Sequence, residues 1–318
     1  MAYVQTITGR IDPDQMGITA MHEHLLWGPP GWEYDPEWFH SVPKIVEKCY
    51  TDLLDFKAEG GLTFVDVSGL GLGRDIELYR MLASATGVNL VACTGYWAQR
   101  GILSYFQVKD IDYHEELFVK EITQGMGTTN AKAGIIKVGH WRTGITKFEE
   151  MTFRAAARAA KKTGAAVTTH GVEFSYEHCQ ILLSEGLDPE RIIIGHLDSA
   201  HAIDLERDKR IGKCGVWLGY DHCTTCKTWS PMHYACSDEE RADLVKYMVD
   251  AGFENQIIVS ADVNSIALGW GRSAPYIGRT LAGDLLRSFV PKLYRVLLGD
   301  DLVHKFLVEN PRKALPIQ

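Results

Sequence analysis

His22-Glu23-His24 follows the apolar stretch Gly17-Ile18-Thr19-Ala20-Met21. In an extended strand alternate side chains share a face, so the two imidazoles point the same way, about 7 Å apart along the backbone, and can grip one metal ion. A histidine pair at this spacing arises often by chance, and its weight comes from its company. His170 closes the apolar run 166–170, His196 closes 191–196, Lys137 lies at the end of 134–138, and Asp262 directly follows 256–261. Four histidines and a carboxylate at the ends of such runs offer nitrogen and oxygen ligands suited to zinc, manganese or a similar divalent ion. The competing reading is a set of core histidines, each satisfied by a hydrogen bond. It suits any one of these residues alone better than it suits all of them together.

Lys137 needs a separate argument, because an ammonium group cannot ligate a cation. It stands inside the apolar sequence Ile135-Ile136-Lys137-Val138-Gly139, where burying a charge is costly unless it is neutralised or paired. Two outcomes are open: a buried pair with a carboxylate, or addition of carbon dioxide to the neutral amine, giving a carbamate anion that can bridge two metals.

The elements that must position these groups follow from periodicity. Eight apolar runs of strand length, 18–21, 63–67, 89–94, 134–138, 166–170, 191–196, 216–219 and 256–261, alternate with helical stretches at 42–58, 75–86, 113–126, 148–163, 175–185, 202–213, 238–251 and 280–297. Short continuous runs rich in β-branched residues suit parallel strands buried on both faces. Eight such units predict an α/β fold of the (β/α)8 TIM-barrel type, a single domain over residues 1–318, with a short extended lead at about 3–15. In such barrels the C-terminal ends of the strands carry the active site, which is where the histidines, Lys137 and Asp262 fall. A last helix at 301–308 is expected to stop before Asn310-Pro311, since proline lacks the N–H needed to continue it.

Composition narrows the function classes. The 318 residues are 46% apolar and 23% charged, as in an ordinary globular enzyme, and the net charge of −8 argues against a nucleic-acid partner. No apolar run reaches the roughly 18 residues of a membrane span, and the start lacks the blocks of a signal peptide, so a cytoplasmic protein without a membrane role is expected. Seven cysteines, an odd number scattered over the chain, do not suggest a disulfide framework. Cys223-Thr224-Thr225-Cys226 has the spacing of half a zinc site, but no second pair follows.

Taken together, Thr6-Ile7-Thr8-Gly9-Arg10-Ile11, the segment around His22-Glu23-His24-Leu25, Lys137-Val138-Gly139, Thr169-His170, Ile194-Gly195-His196, Asp221-His222 and Asn310-Pro311-Arg312 resemble the phosphotriesterase family of the amidohydrolase superfamily, in order from about residue 3 to 315. The resemblance implies two divalent ions, zinc or else manganese, cobalt or iron. His22, His24 and Asp262 would hold the more buried ion, His170 and His196 the more exposed one, with carboxylated Lys137 and a hydroxide bridging them. Asp262 would take the hydroxide's proton. It further implies a homodimer.

Where the family backs the aspartate with a histidine and then a carboxylate, His222 matches the first. Ser199 aligns with the second, leaving Asp198 as a neighbouring substitute. Tyr96 and Trp97 are expected to wall the site with aromatic surface, Trp270 to join them, and Lys227, Arg272 and Arg279 to offer an anion anchor on the last two loops. The leading expectation is a metal-dependent hydrolase acting on a small lactone, carboxylic ester or phosphotriester. One alternative is a hydrolase of phosphorylated sugar lactones or N-acyl compounds, anchored by Lys227 or Arg272. Another is a non-catalytic metal- or partner-binding barrel with the Cys223/Cys226 loop as its contact.

Overall fold

Strand-length apolar runs followed by amphipathic helices can bury both faces of a parallel sheet only by wrapping the helices around it. The computed structural model of the protein describes residues 2–36, 41–141, 144–199, 202–224, 236–268 and 281–318, and this is the arrangement it adopts. A hairpin, β1 (Val4–Thr6) and β2 (Gly9–Ile11), precedes the barrel. The extended lead therefore doubles back on itself as a second strand. Ile7 N–H donates to Leu90 O (2.7 Å), which docks the hairpin at the start of a barrel strand.

The barrel strands are β3 (Ile18–Trp27), β4 (Gly61–Asp66), β5 (Asn89–Gly95), β6 (Ile135–Gly139), β7 (Ala166–His170), β8 (Ile192–Ile194), β9 (Trp217–Tyr220), β10 (Ile257–Val259) and β11 (Asn264–Ala267). Each pairs in parallel with the next from β3 to β10, and β11 pairs back onto β3. β10 and β11 are two halves of an interrupted eighth strand, so the sheet closes through the break between them, and the fold is a TIM barrel. α1 (Val42–Ala58), α2 (Ile76–Thr86), a short α3 (Ser104–Gln107), α4 (Ile111–Thr123), α5 (Lys147–Thr163), α6 (Ser175–Ser184), α7 (Leu205–Gly212) and α8 (Asp238–Asp250) form the outer layer.

Local sequence explains individual boundaries. α5 begins in a capping box, Thr146 with Glu149, and ends at Gly164 in the left-handed region (φ 78°). Five of its eight buried residues are alanine, Ala155 to Ala157, Ala159 and Ala160, which lets the helix lie close against the strands. Inside the barrel, Val65, Val91, Cys93, Ile135, Ala166 and Ile193 form one apolar cluster, while the alternate residues Phe64, Ala92, Ile136, Val167 and Ile192 face the helices. By that alternation Lys137 shares the inner face with Ile135.

Three expectations need correction. β3 does not stop at residue 21. It runs to Trp27, so His22 and His24 are internal, and its register against β4 shifts between Ala20 and Glu23. Such a bulge re-aims side chains beside active sites. At the C-terminus Pro311 does not end the last helix. Residues Asp300–His304 are followed by a wider π-type turn, Lys305–Glu309, and then by Asn310–Ala314. Proline sits in the first turn of that final piece, where its missing N–H is tolerated. The expected helix at 280–297 is likewise a π-type turn, Leu285–Phe289, leading into α9 (Val290–Arg295).

Candidate metal centre

His22, His24, Lys137, His170, His196 and Asp262 come from five different barrel strands or the turns after them, and the structure brings them into one cluster. His22 Nε2 lies 2.7 Å from Lys137 Nζ, His170 Nδ1 lies 2.8 Å from His196 Nε2, and His24 Nε2 lies 3.0 Å from Asp262 Oδ1. His22, His24 and Asp262 can each present a ligand atom within 4.8 Å of the other two, as can His196, His222 and Asp262.

The hydrogen bonds behind the rings set their tautomers. Ser68 Oγ–H donates to Leu26 O (2.7 Å), so at 2.8 Å from His24 Nδ1 it must accept, which places the proton on Nδ1 and the lone pair on Nε2. Asp221 does the same for His196 and sets its other oxygen beside His22. Its Oδ1 lies 2.7 Å from His196 Nδ1 and also accepts His196 N–H (2.8 Å), while its Oδ2 lies 2.9 Å from His22 Nδ1, out of line for a full hydrogen bond. His22, His24 and His196 thus all turn Nε2 lone pairs into the cluster.

Protonation follows from burial and charge. Burial, then the Lys137 charge, pushes His22 down to about 3, and burial with the neighbouring His196 holds His170 well below the usual imidazole range. Burial opposes ionisation of Asp262, but the hydrogen bond from His222 and the closeness of the His24 and His196 rings outweigh it and hold the carboxyl well below its ordinary value. Asp221 is likewise held down, by His196 and His22 against burial. Burial brings Lys137 down to about 8. Neutral imidazoles beside ionised carboxylates are the state a metal ligand set needs.

Asp262 and His196 both adopt positive φ, 48° and 63°, an uncommon conformation for residues with a side chain, which clusters at functional sites. Beyond Asp262, His222 Nε2 lies 3.2 Å from Oδ2 and its ring stacks on His196 at 4.3 Å. Burial works against a charge on His222, yet the Asp262 hydrogen bond and the Asp198 carboxylate raise its pKa. The two candidates behind it are separated. Ser199 Oγ contacts the ring at Nδ1 (2.8 Å), whereas Asp198 accepts the backbone N–H groups of Asp221 and His222 and faces buried Arg241 (3.3 Å).

The aromatic wall is only partly as expected. Trp97 packs 5.0 Å from the His170 ring and contacts Trp27 and Trp141, with Arg100 lying 4.0 Å over Trp141. Tyr96 is not part of it. As the residue before Trp97 it turns to the opposite side, buried among Phe106 and Phe118, with its hydroxyl 2.9 Å from His114 Nδ1. Lys227, Trp270, Arg272, Arg279 and Cys226 lie outside the described residues. Cys223 is buried against Tyr220 O. Sequence reasoning missed Asp221 and Ser68. Asp221 directly follows a strand and precedes His222, so the rule that found Asp262 applies to it equally.

A barrel whose strand ends converge on histidines and carboxylates defines a metal-dependent hydrolase, and the relatives carry the names of hydrolases. A sequence profile of the phosphotriesterase family matches residues 2–315, and the chain belongs to that family. An aryldialkylphosphatase from Saccharolobus solfataricus is 30% identical over 95% of this chain and 96% of its own. An N-acetyltaurine hydrolase from Xenopus tropicalis is 28% identical over 98% and 97%. A mutant phosphotriesterase-like lactonase from Deinococcus radiodurans superposes with a TM-score of 0.89 at 25% identity, covering 98% of this chain and 99% of the other.

Proposed function

We propose that the protein hydrolyses a small lactone or carboxylic ester at a two-metal centre, with phosphotriesters as side substrates. The observation that carries this is the meeting of Lys137 Nζ with His22 Nε2 at 2.7 Å, among rings whose Nε2 lone pairs converge. The donor set fits a pair of divalent ions, zinc first and manganese, cobalt or iron as alternatives. His22, His24 and Asp262 would hold one, His170 and His196 the other, and Lys137, as its carbamate, would bridge them. When bound, the ions supply Lewis acidity to the substrate oxygen and lower the pKa of water.

The chain's own groups do the rest. Asp262 accepts the proton of the attacking water, and His222 Nε2, 3.2 Å from Oδ2, takes it onward. Ser199 fixes the His222 ring through Nδ1 but, as a neutral hydroxyl, stores no charge, so the buried proton path ends at His222. Trp97 and its tryptophan neighbours keep water from the His170 side and offer apolar contact to an acyl or alkyl group. Proton transfer of this kind contributes about 10²–10⁴-fold.

A second reading, hydrolysis of an N-acyl amine carrying an acid group, is favoured by the similarity to N-acetyltaurine hydrolases and by the Arg100 guanidinium beside the tryptophans. Lys227 and Arg272 remain proposed anion anchors for this class and for phosphorylated lactones. The chain is further proposed to act as a homodimer in the cytoplasm. Exposed Tyr34, Val42 and Val108 offer apolar contact for the dimer, and no described helix is long and apolar enough to cross a membrane.

The test is metal analysis of protein purified without chelator, followed by a panel of lactones, esters, N-acyl amines and phosphotriesters. Two divalent ions per chain and turnover on a carbonyl substrate are expected. Metal without turnover of any substrate would leave a binding barrel, and active protein free of metal would overturn the reading.

A further inference from the structure

Glu23 stands between the two site histidines, yet its carboxylate lies on the other side of β3 and is fully buried. Oε1 accepts from Ser260 Oγ–H (2.8 Å) and Ala261 N–H (2.9 Å), and Oε2 accepts from Val263 N–H (2.7 Å). These donors flank Asp262 on both sides. Ser260 Oγ in turn accepts His22 N–H (2.9 Å), so the clamp returns to the strand from which Glu23 comes.

The clamp sits where the barrel lacks its own support. The eighth strand is interrupted from 260 to 263, between β10 and β11. Within the gap Asp262 N–H donates to His22 O (3.0 Å) and His24 N–H to Val263 O (2.8 Å), but the Ala261 and Val263 N–H groups go to Glu23. A buried N–H left without an acceptor is costly, and a non-glycine residue at positive φ persists only where its surroundings over-determine it. Three donors and, among the described residues, no acceptor face the two oxygens. A carboxylate satisfies all three, whereas a carboxamide must turn its NH2 toward at least one donor.

We infer that Glu23 is a positioning residue for Asp262: by holding both flanking peptides it fixes the turn that aims Oδ1 at His24 and Oδ2 at His222. The inference rests on the metal-centre reading above for its functional consequence, but the clamp itself belongs to the ion-free chain. One strand therefore builds the site with both faces, its histidines toward the metals and its glutamate toward the backbone of the aspartate.

The test compares Glu23→Gln, Glu23→Asp and Ser260→Ala with the parent in three measurements: amide exchange at Ala261 and Val263 in ion-free protein, zinc affinity by chelator competition, and kcat against KM. Glu23→Gln should keep the barrel's circular dichroism, expose the two amides to exchange at least about tenfold faster, and weaken the ion held by Asp262 by about 10–100-fold. It should lower kcat more than it raises KM. Ser260→Ala, which leaves both amide bonds in place, should exchange and bind zinc close to the parent. If Glu23→Gln does not fold, Glu23→Asp, which keeps the charge but shortens its reach, should show the same losses in smaller degree. Unchanged exchange and zinc affinity in a folded Glu23 variant overturn the inference. So does a Ser260→Ala loss as large as that of Glu23→Gln, because the amide clamp would then not be the cause. If the parent itself binds no zinc, the metal reading fails separately, and the exchange rates still decide whether Glu23 holds the turn.

Discussion

Asp221→Asn isolates the tautomer argument, because it keeps size and shape while exchanging one carboxylate oxygen for an NH2 donor. In the parent, Oδ1 accepts His196 N–H (2.8 Å) and lies 2.7 Å from His196 Nδ1, while Oδ2 lies 2.9 Å from His22 Nδ1. A carboxamide cannot serve both rings. Because two His196 groups need an acceptor at Oδ1, the amide oxygen belongs there and the NH2 turns to His22. His22 must then accept at Nδ1 and carry its proton on Nε2, which blocks the lone pair a metal requires. Losing a supporting contact of this kind typically weakens metal binding about 10–100-fold, or about 1.4–2.7 kcal/mol. That agrees with the about 1.5–3 kcal/mol of a hydrogen bond to a charged group. Chelator competition at constant pH resolves the two dissociation constants, and thermal melting confirms folding. The ion bound by His22 should weaken by that factor while the one held by His170 and His196 changes little. Equal weakening of both ions, or of neither, in a folded variant refutes the reasoning.

Burial brings Lys137 down to about 8, so at pH 7 about a tenth of the amine is neutral and open to carbon dioxide. Zinc reconstitution of ion-free protein should therefore reach two ions per chain in bicarbonate and fewer in buffer purged of carbon dioxide; identical loading would count against the carbamate. Asp52 is pushed up to about 6 by burial, against hydrogen bonds from Ser265 and the Ala282 N–H. The unfolded chain loses this proton first as pH rises, so ion-free protein should lose about 3 kcal/mol of stability between about pH 4 and 6 from this group. Asp52→Asn should flatten that part of the urea-denaturation profile, and an unaltered slope would show that the group is not responsible. Tyr96→Phe should lower stability by about 1 kcal/mol through the lost His114 contact and leave KM alone, whereas Trp97→Ala should raise KM for bulky acyl groups; the reverse pattern in steady-state kinetics would put Tyr96 back in the site.

Much of the barrel is readable in the chain because parallel strands buried on both faces leave continuous apolar runs, as at 134–138 and 166–170. The same rule fails where a strand enters the site. Residues 22–24 are polar, so an apolar-run criterion ends β3 at Met21, although the strand continues to Trp27 and pairs there with β11. The split eighth strand is invisible for a related reason: its break is stabilised by a carboxylate more than two hundred residues earlier in the chain, and no local propensity reports such a bond. Tyr96 and Trp97 show the reverse. Adjacent residues near a strand end tend to face opposite ways, so alternation lets only one of them reach the site.

Asp221 does not stand out in the sequence as a metal ligand because it acts on the far nitrogens of two rings and not on an ion. A ligand's far side fixes which nitrogen is free, so residues at that depth are as necessary as the ligands themselves. In this barrel the supporting groups obey a simple geometry. The ligands sit on the inner face or in the turn just beyond a strand, and two of their supporting contacts come from the next turn around the rim: Ser68 after β4 for His24 on β3, Asp221 after β9 for His196 after β8. Neighbouring strands of a closed parallel sheet end side by side, which brings each such pair within hydrogen-bond reach. A polar residue one to three positions past a barrel strand is therefore a candidate support for the ligand on the strand beside it, and in this chain that criterion, applied to sequence alone, picks out both Ser68 and Asp221.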